Sequence, residues 1–288
     1  MHNTVKVVEC PRDAMQGIKA LIPTHLKVEY LNKLLRVGFH TIDFGSFVSA
    51  KAIPQMADTL NVLHELDLTL VKSRLLAIVA NTRGAEEASV HPGIAYLGFP
   101  LSISETFQKR NTNKSISEAL NTLEEIKNIC LRSGKQLVTY ISMGFGNPYG
   151  DPYEADLVTR FVDILIVLGA DVISLADTVG VAESPNIESL FASVSRQFPK
   201  AEVGVHLHSA PASAREKIEA AYRGGCRRFD GALRGFGGCP MAKDELVGNI
   251  ATETIISCLE DHNITLGLDK TSLKEALIMA DRVFATSP

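Results

Sequence analysis

Residues 168–174 (LGADVIS) run from the end of an amphipathic segment, through a glycine, directly into a short β-branched stretch. The same order of features recurs at residues 37–43 (VGFHTID) and 224–230 (GGCRRFD). Glycine readily adopts the left-handed conformation that ends many helices. Short, continuous apolar runs are typical of parallel strands that are buried on both faces. These stretches therefore predict helices that lead straight into parallel strands.

Strands and helices are predicted to alternate along the whole chain. Short runs predict strands at residues 5–9, 41–44, 74–80, 94–99, 137–142, 171–175, 202–207 and 228–230. Helical periodicity falls at residues 26–37, 53–63, 115–132, 154–168, 186–197, 212–223 and 248–261, more weakly at 83–90, and again at 272–284. Eight strand–helix units predict a TIM (β/α)8 barrel that forms a single catalytic domain over residues 1–288, with an extra C-terminal helix. An open doubly wound sheet is the alternative.

The composition excludes several classes of protein. A net charge of −4 gives no basic excess for binding nucleic acid. No apolar run approaches the length of a membrane span, and the first residues (MHNTVKVVECPRD) lack the apolar core of a secretory signal. Five cysteines without paired spacing argue against a disulfide framework and a zinc ribbon. We therefore expect a cytoplasmic protein.

Two histidines close the seventh predicted strand, in the sequence VHLH at residues 205–208. Because residues i and i+2 of a strand point to the same side, His206 and His208 should face one space. Two imidazoles at a strand end can chelate a divalent cation. Two solvated loop histidines are the alternative.

Charged residues follow the first two predicted strands, at the end of a barrel where catalysis takes place. Arg12 and Asp13 are expected in a loop, where such a pair is usually a surface feature. Asp13 can supply an oxygen ligand, and Arg12 can stabilise an oxyanion. Asp43, at the end of the second strand, could orient a metal-bound water or a guanidinium, whereas nearby serines such as Ser46 could cap the next helix.

Further candidates follow the fifth, sixth and eighth strands. Cys239 lies in the glycine-rich sequence LRGFGGCP (residues 233–240) and could act as an acid/base thiol or be a small loop residue. Asn249 could cap the last barrel helix or complete a metal shell. Tyr149 and Asp177 could line a substrate pocket, although their sequences also suit turns and caps.

Together these blocks resemble the 3-hydroxy-3-methylglutaryl-CoA lyase family, within the wider group of metal-dependent TIM-barrel lyases and Claisen synthases. The resemblance extends from about residue 4 to residue 262. It rests on PRD (11–13) with Gln16, SFVS (46–49) with PQM (54–56), DTVG (177–180), HLH (206–208), and GGCP (237–240) with GNIATE (248–253).

The resemblance implies an acyl-CoA substrate, cleaved to acetyl-CoA and acetoacetate by a retro-Claisen reaction. It also implies a divalent cation, Mg²⁺ or Mn²⁺, held by Asp13, His206, His208 and Asn249. Arg12 would stabilise the thioester enolate and Cys239 would protonate it, while His206, Asp43 or a water would be the base. The residues expected to bind substrate are Gln16, Ser46, Tyr149 and Asp177.

The sequence departs from the family pattern in three places. Asp43 stands where the family usually has glutamate, and Ser209 where aspartate commonly follows the second histidine. The loop at residues 241–247 is one residue longer than the family's version. These changes leave the metal ligands intact but bear on the acyl group and on loop closure.

Two other functions are compatible with the same residues. A Claisen synthase or an oxo-acid aldolase of this group would share the barrel and the metal, and a barrel that only binds metal or CoA would share the fold. Barrels of this type often pair through their outer helices, so a homodimer is expected by analogy.

Overall fold

The computed structural model describes residues 4–237 and 247–285. Its centre is a closed barrel of eight parallel strands in which each strand pairs with the next and the last pairs with the first. The strands are β1 (Lys6–Glu9), β2 (Thr41–Ser46), β3 (Arg74–Ile78), β4 (Ile94–Ser102), β5 (Gln136–Ser142), β6 (Val172–Asp177), β7 (Val203–Leu207) and β8 (Arg228–Gly231). The TIM barrel is therefore confirmed, and the open sheet is wrong.

Helices connect the strands of the barrel. They are α1 (Pro11–Gln16), α2 (Thr24–Val37), α3 (Thr59–Glu65), α4 (Thr82–Ser89), α5 (Glu105–Thr112), α6 (Ile116–Ser133), α7 (Ala155–Val167), α8 (Ser184–Gln197), α9 (Pro211–Arg223), α10 (Thr252–Asp261) and α11 (Lys270–Ala285). The extra C-terminal helix is α11, which packs on α2 through an edge-to-face contact of Phe284 with Tyr30. Among the described helices, none has an apolar stretch of the length that a membrane span requires.

Three local predictions about helices are wrong. The helix expected at residues 53–63 is a 3-10 turn, Pro54–Met56, followed by α3. The helix expected from residue 248 begins only at Thr252, because the preceding residues pair with strand ends instead. Arg12 and Asp13 lie not in a loop but in α1, which Pro11 opens at a position where the missing N–H costs no helical hydrogen bond.

Glycine ends the helices where the sequence predicts it. Gly38 (φ +88°), Gly169 (φ +84°) and Gly225 (φ +106°) all have left-handed or similar positive φ values. Each lies a few residues before β2, β6 or β8. Because these glycines turn the chain sharply, each strand starts close to the end of the preceding helix.

The inside of the barrel is divided into an apolar and a polar sector. Alternate residues of β3 to β6 form one buried apolar cluster: Leu76, Ile78, Tyr96, Val138, Tyr140 and Val172. By the same alternation, polar side chains of β2, β6, β7 and β8 face inward: Thr41, Asp43, Ser174, His206, Arg228 and Asp230. The polar sector ends at the carboxyl ends of the strands, where barrels of this type carry out catalysis.

Candidate active site and metal centre

Four polar side chains from distant parts of the chain meet at the carboxyl end of the barrel. The Nε2 atoms of His206 and His208 lie 3.3 Å apart, and each lies 4.0 Å from Asp13 Oδ2. Asn249 Nδ2 donates a hydrogen bond of 2.7 Å to the same oxygen of Asp13. The four residues predicted as metal ligands therefore form one cluster, called here the donor cluster.

The backbone explains how the donor cluster comes together. His206 lies in β7 and His208 one residue beyond it, so the two rings face the same side, as the i, i+2 spacing predicts. Asn249 is held by an antiparallel bridge to His208, which is extended by a hydrogen bond of 3.1 Å from Ser209 N to Gly248 O. Asn249 is therefore fixed by the end of β7 and does not cap α10.

Arg12 connects the donor cluster to Asp43. Its Nε donates to both carboxylate oxygens of Asp43, at 3.0 and 3.2 Å, and its Nη1 donates to Asp13 Oδ1 at 3.1 Å. Gln16 donates to the same Asp13 oxygen at 2.7 Å and accepts from Arg12 at 2.9 Å. Asp43 lies within β2, beside an irregularity in its pairing with β3, and not at the strand's end as predicted. The network holds the Arg12 guanidinium beside the donor cluster.

Burial and charge set the protonation of these groups. Burial tends to raise the pKa of Asp13, but Arg12 and the two histidines lower it to about 2. Burial and the neighbouring His206 lower the pKa of His208 to about 4. Burial raises the pKa of Asp43 to about 6, against the opposing effect of Arg12. At neutral pH Asp13 is thus an ionised carboxylate and His208 a neutral imidazole, which are the forms that bind metals. Burial tends to lower the pKa of His206, but the neighbouring Asp230 and Asp13 carboxylates raise it above its usual value.

The donor cluster is chemically suited to a divalent cation. It offers carboxylate, imidazole and amide donors, and the distances of 3.3 to 4.0 Å between donor atoms allow one ion to reach several of them. Asn249 Oδ1 is buried and has no hydrogen-bond partner among the described residues. One ligand atom from each of Asp13, His206 and His208 lies within 4.8 Å of the other two. These residues fit a bound metal.

Asp230 is a buried acid next to the site that the sequence analysis missed. Its Oδ2 lies 3.6 Å from His206 Nδ1, on the opposite side of the imidazole from Asp13. In the barrel, β8 pairs with β7 so that Asp230 stands opposite His206. To predict this inward-facing acid from the sequence, one would have to know which side chains of β8 point into the barrel and which residue of β7 each of them faces.

The other predicted substrate-binding residues lie around the same end of the barrel but outside the donor cluster. Ser46 is buried, and its Oγ has no hydrogen-bond partner among the described residues. Tyr149 stacks on Phe107, and the guanidinium carbon of Arg110 lies 4.6 Å from the centre of the Tyr149 ring. Asp177 accepts hydrogen bonds of 2.9 Å from Val181 N and Ala182 N. Cys239 lies outside the described residues.

The fold and the donor cluster together define a class of protein. A closed parallel barrel with a buried set of metal-type donors and an arginine at its carboxyl strand ends is typical of TIM-barrel enzymes that use a divalent cation. The chain belongs to the HMGL-like family, which it matches over residues 5–279. It is accordingly an enzyme of a carbon–carbon lyase family.

Curated relatives support this assignment. The chain is 33% identical to the cytoplasmic 3-hydroxy-3-methylglutaryl-CoA lyase of Rattus norvegicus over 94% of this chain and 79% of that protein. It is 34% identical to the hydroxymethylglutaryl-CoA lyase YngG of Bacillus subtilis, over 96% of this chain and 90% of that protein.

Solved structures agree in fold. The HMG-CoA lyase of Bacillus subtilis has a TM-score of 0.90 at 32% identity, covering 97% of this chain and 93% of that one. An HMG-CoA lyase of Acinetobacter baumannii, solved in complex with coenzyme A and 3-methylmalate, has a TM-score of 0.90 at 29% identity, covering 98% and 92%.

Proposed function

We propose that this enzyme cleaves 3-hydroxy-3-methylglutaryl-CoA, or a close 3-hydroxyacyl-CoA, into acetyl-CoA and acetoacetate by a metal-dependent retro-Claisen reaction. The observation that carries the proposal is the meeting of Asp13, His206, His208 and Asn249 beside the Arg12 guanidinium. Relatives named for this activity, and the relative solved with coenzyme A, support the choice of an acyl-CoA substrate.

We assign the cation as Mg²⁺ or Mn²⁺. Carboxylate and amide oxygens with imidazole nitrogens suit these ions. The donor cluster contains no cysteine and so does not resemble the four-thiolate site of a structural zinc ion. When bound by Asp13, His206, His208 and Asn249, such a cation supplies Lewis acidity, which lowers the pKa of a hydroxyl group on the substrate.

The reaction needs a base, a group that stabilises negative charge, and an acid. In the first step a base removes the proton from the tertiary hydroxyl, the C–O group becomes the C=O of the ketone product, and the bond from that carbon to the carbon next to the thioester carbonyl breaks. Asp43 suits the role of base, since its pKa of about 6 leaves it largely ionised at neutral pH yet able to accept a proton. His206 becomes an alternative only where its Nε2 is not engaged with metal, and a water is the third candidate.

The electron pair of the broken bond forms the enolate of acetyl-CoA. Arg12 is placed to stabilise this enolate, because its guanidinium is buried and already fixed by two carboxylates. Burial disfavours the charged form of Arg12, but Asp43 and Asp13 raise its pKa, so the charge is permanent. The proposed role of Cys239 is to give its thiol proton to the enolate carbon, which yields acetyl-CoA. Gln16, Ser46, Tyr149 and Asp177 are retained as proposed substrate-binding residues.

The test is acetoacetate release from 3-hydroxy-3-methylglutaryl-CoA by the purified protein, with and without EDTA. We expect turnover that EDTA abolishes and Mg²⁺ or Mn²⁺ restores. Replacing Arg12 by Ala should lower kcat by about 10²- to 10³-fold. Arg36→Ala and Asp67→Ala, exposed changes at the opposite end of the barrel, are the matched controls. EDTA-insensitive cleavage, or full activity of both Arg12→Ala and Asp13→Ala, would refute the proposal.

Three broader properties belong to the same proposal. We propose that residues 1–288 act as one catalytic domain, that the enzyme works in the cytoplasm, and that it forms a homodimer. The four described cysteines, Cys10, Cys130, Cys226 and Cys258, are buried free thiols, which suits a reducing compartment. Light scattering of the purified protein measures the oligomeric state directly.

A further inference from the structure

The imidazole of His206 has two different environments on its two nitrogen atoms. Its Nε2 faces the donor cluster, 3.3 Å from His208 Nε2 and 4.0 Å from Asp13 Oδ2. Its Nδ1 faces the interior of the barrel, 3.6 Å from Asp230 Oδ2. Nδ1 is inaccessible to solvent and has no hydrogen-bond partner among the described residues. The Asp230 carboxylate is therefore the group best placed to accept a hydrogen bond from an N–H at Nδ1 of His206.

Asp230 is held firmly in this position. It is only 4% exposed, and its register on β8 places it opposite His206. The Ser174 hydroxyl, on β6, lies 3.3 Å from Asp230 Oδ2 and donates to it, while Asp230 Oδ1 has no partner among the described residues. A buried carboxylate with spare acceptor capacity favours a neighbouring N–H donor, because a buried acceptor without a partner is destabilising.

We propose that Asp230 is a positioning residue that keeps the proton of His206 on Nδ1 and thereby presents the Nε2 lone pair to the cation. A neutral imidazole carries one proton, and when Nε2 faces a cation held together with Asp13 that proton must lie on Nδ1, where Asp230 Oδ2 is the neighbouring carboxylate oxygen at 3.6 Å. The inference rests on the proposed function, in which His206 is a metal ligand. Carboxylates that orient ligating histidines in this way typically strengthen metal binding by 10- to 100-fold.

Cys10 is a further potential metal ligand beside His206 and Asp230. Its Sγ, a nitrogen of His206 and an oxygen of Asp230 lie within 4.8 Å of one another. A thiol is a weak acceptor, so it competes poorly with a carboxylate for the Nδ1 proton. If the cation instead occupied the space between Cys10 and Asp230, Nδ1 would be its ligand and the proton would lie on Nε2. The position of that proton distinguishes the two arrangements.

The first experiment locates the proton in the unmodified enzyme. Long-range ¹H–¹⁵N spectra of Mg²⁺-loaded protein labelled at histidine, with His206 assigned by the loss of its signals in His206→Asn, report which nitrogen carries hydrogen. We expect Nδ1–H. A proton on Nε2 of His206 overturns the proposal without any need for an Asp230 variant to fold.

The second experiment measures the affinity for Mn²⁺ by electron paramagnetic resonance of the free ion. Asp230→Asn keeps the shape of the side chain but can turn its NH₂ group toward Nδ1, which favours the wrong tautomer. We expect a dissociation constant 10- to 100-fold higher than that of the wild type. Asp171→Asn is the matched control, because Asp171 pairs with Lys127 at the other end of the barrel. This variant should bind Mn²⁺ as the wild type does.

The outcomes separate this inference from the proposed function. Equal Mn²⁺ affinity of the wild type and Asp230→Asn would refute the role of Asp230 and leave the metal-dependent reaction intact. Failure of the wild type to bind Mn²⁺ would refute the metal centre, and the role of Asp230 with it. A weakened Asp230→Asn whose His206 has lost its Nδ1–H signal would support the proposal.

Discussion

The buried acid Glu9 should make this enzyme less stable as the pH rises from about 4.5 to 8. Glu9 is fully buried at the end of β1, where Oε1 accepts from Leu233 N at 2.8 Å and Oε2 lies 2.5 Å from Thr252 Oγ1. Burial raises the pKa of Glu9 from 4.5 to about 8. The folded protein therefore keeps a proton that the unfolded chain releases above pH 4.5, and stability falls until both states are ionised.

The size of the effect follows from the shift in pKa. At about 1.4 kcal/mol for each pKa unit, the rise from 4.5 to about 8 corresponds to a loss of about 5 kcal/mol between low pH and pH above 8. Glu9→Gln carries an amide that imitates the protonated acid, since its oxygen can accept from Leu233 N and its NH₂ can donate to Thr252 Oγ1. At pH 8 this variant should be more stable than the wild type by about 4 kcal/mol.

Urea unfolding of EDTA-treated protein, followed by circular dichroism from pH 5 to pH 8.5, measures this difference. The two proteins should differ by only about 1 kcal/mol at pH 5 and should diverge steadily above it. Glu125→Gln, a change at an exposed position of α6, should follow the wild type at every pH. Parallel pH profiles of Glu9→Gln and the wild type would show that Glu9 is ionised in the folded protein and that the reasoning is wrong.

Three further predictions test other parts of the molecule. Lys217→Met should destabilise the fold by about 3–5 kcal/mol in urea unfolding. The buried ammonium of Lys217 contacts Asp177 Oδ2 at 3.3 Å, and its loss leaves that carboxylate without its cation. An unchanged unfolding midpoint would contradict this prediction. Gly84→Ala should lower stability by about 1–3 kcal/mol, since the added Cβ would lie 2.2 Å from Phe47 O. A melting temperature equal to that of the wild type would show that the backbone shifts to accommodate the Cβ without a cost in stability. Asp13→Ala should abolish Mn²⁺ binding in a titration at neutral pH, and retained binding would place the ion elsewhere.

The strands were predictable because their physical signal is local. Each short apolar run carries its own evidence, three of the runs follow a helix that ends in glycine, and all eight predicted strands occur in the structure. The helices α1 and α5 were not predicted. α5 has the sequence ETFQKRNT, in which Phe107 is the one large apolar residue, so no hydrophobic periodicity marks it. It is fixed instead by the Ser104 cap, which accepts from Phe107 N.

The donor cluster was predictable in its residues but not in its contacts. The i, i+2 spacing of His206 and His208 indicates a shared direction, and family resemblance adds Asp13 and Asn249. No local pattern shows that Asp230 stands opposite His206, because strand register depends on how the whole barrel closes. The same limit applies to Glu9, whose partners lie more than two hundred residues away along the chain.

The position of α11 has a practical consequence for anyone who produces this enzyme. Phe284 of α11 stacks on Phe236 at 4.2 Å between ring centres, and the Phe236 carbonyl accepts a hydrogen bond of 2.9 Å from Asn249. The last helix thus supports, through one aromatic pair, the backbone that holds a proposed metal ligand. A purification tag is accordingly better attached at the amino terminus, since a fusion that displaces α11 would disturb cation binding without touching the barrel itself.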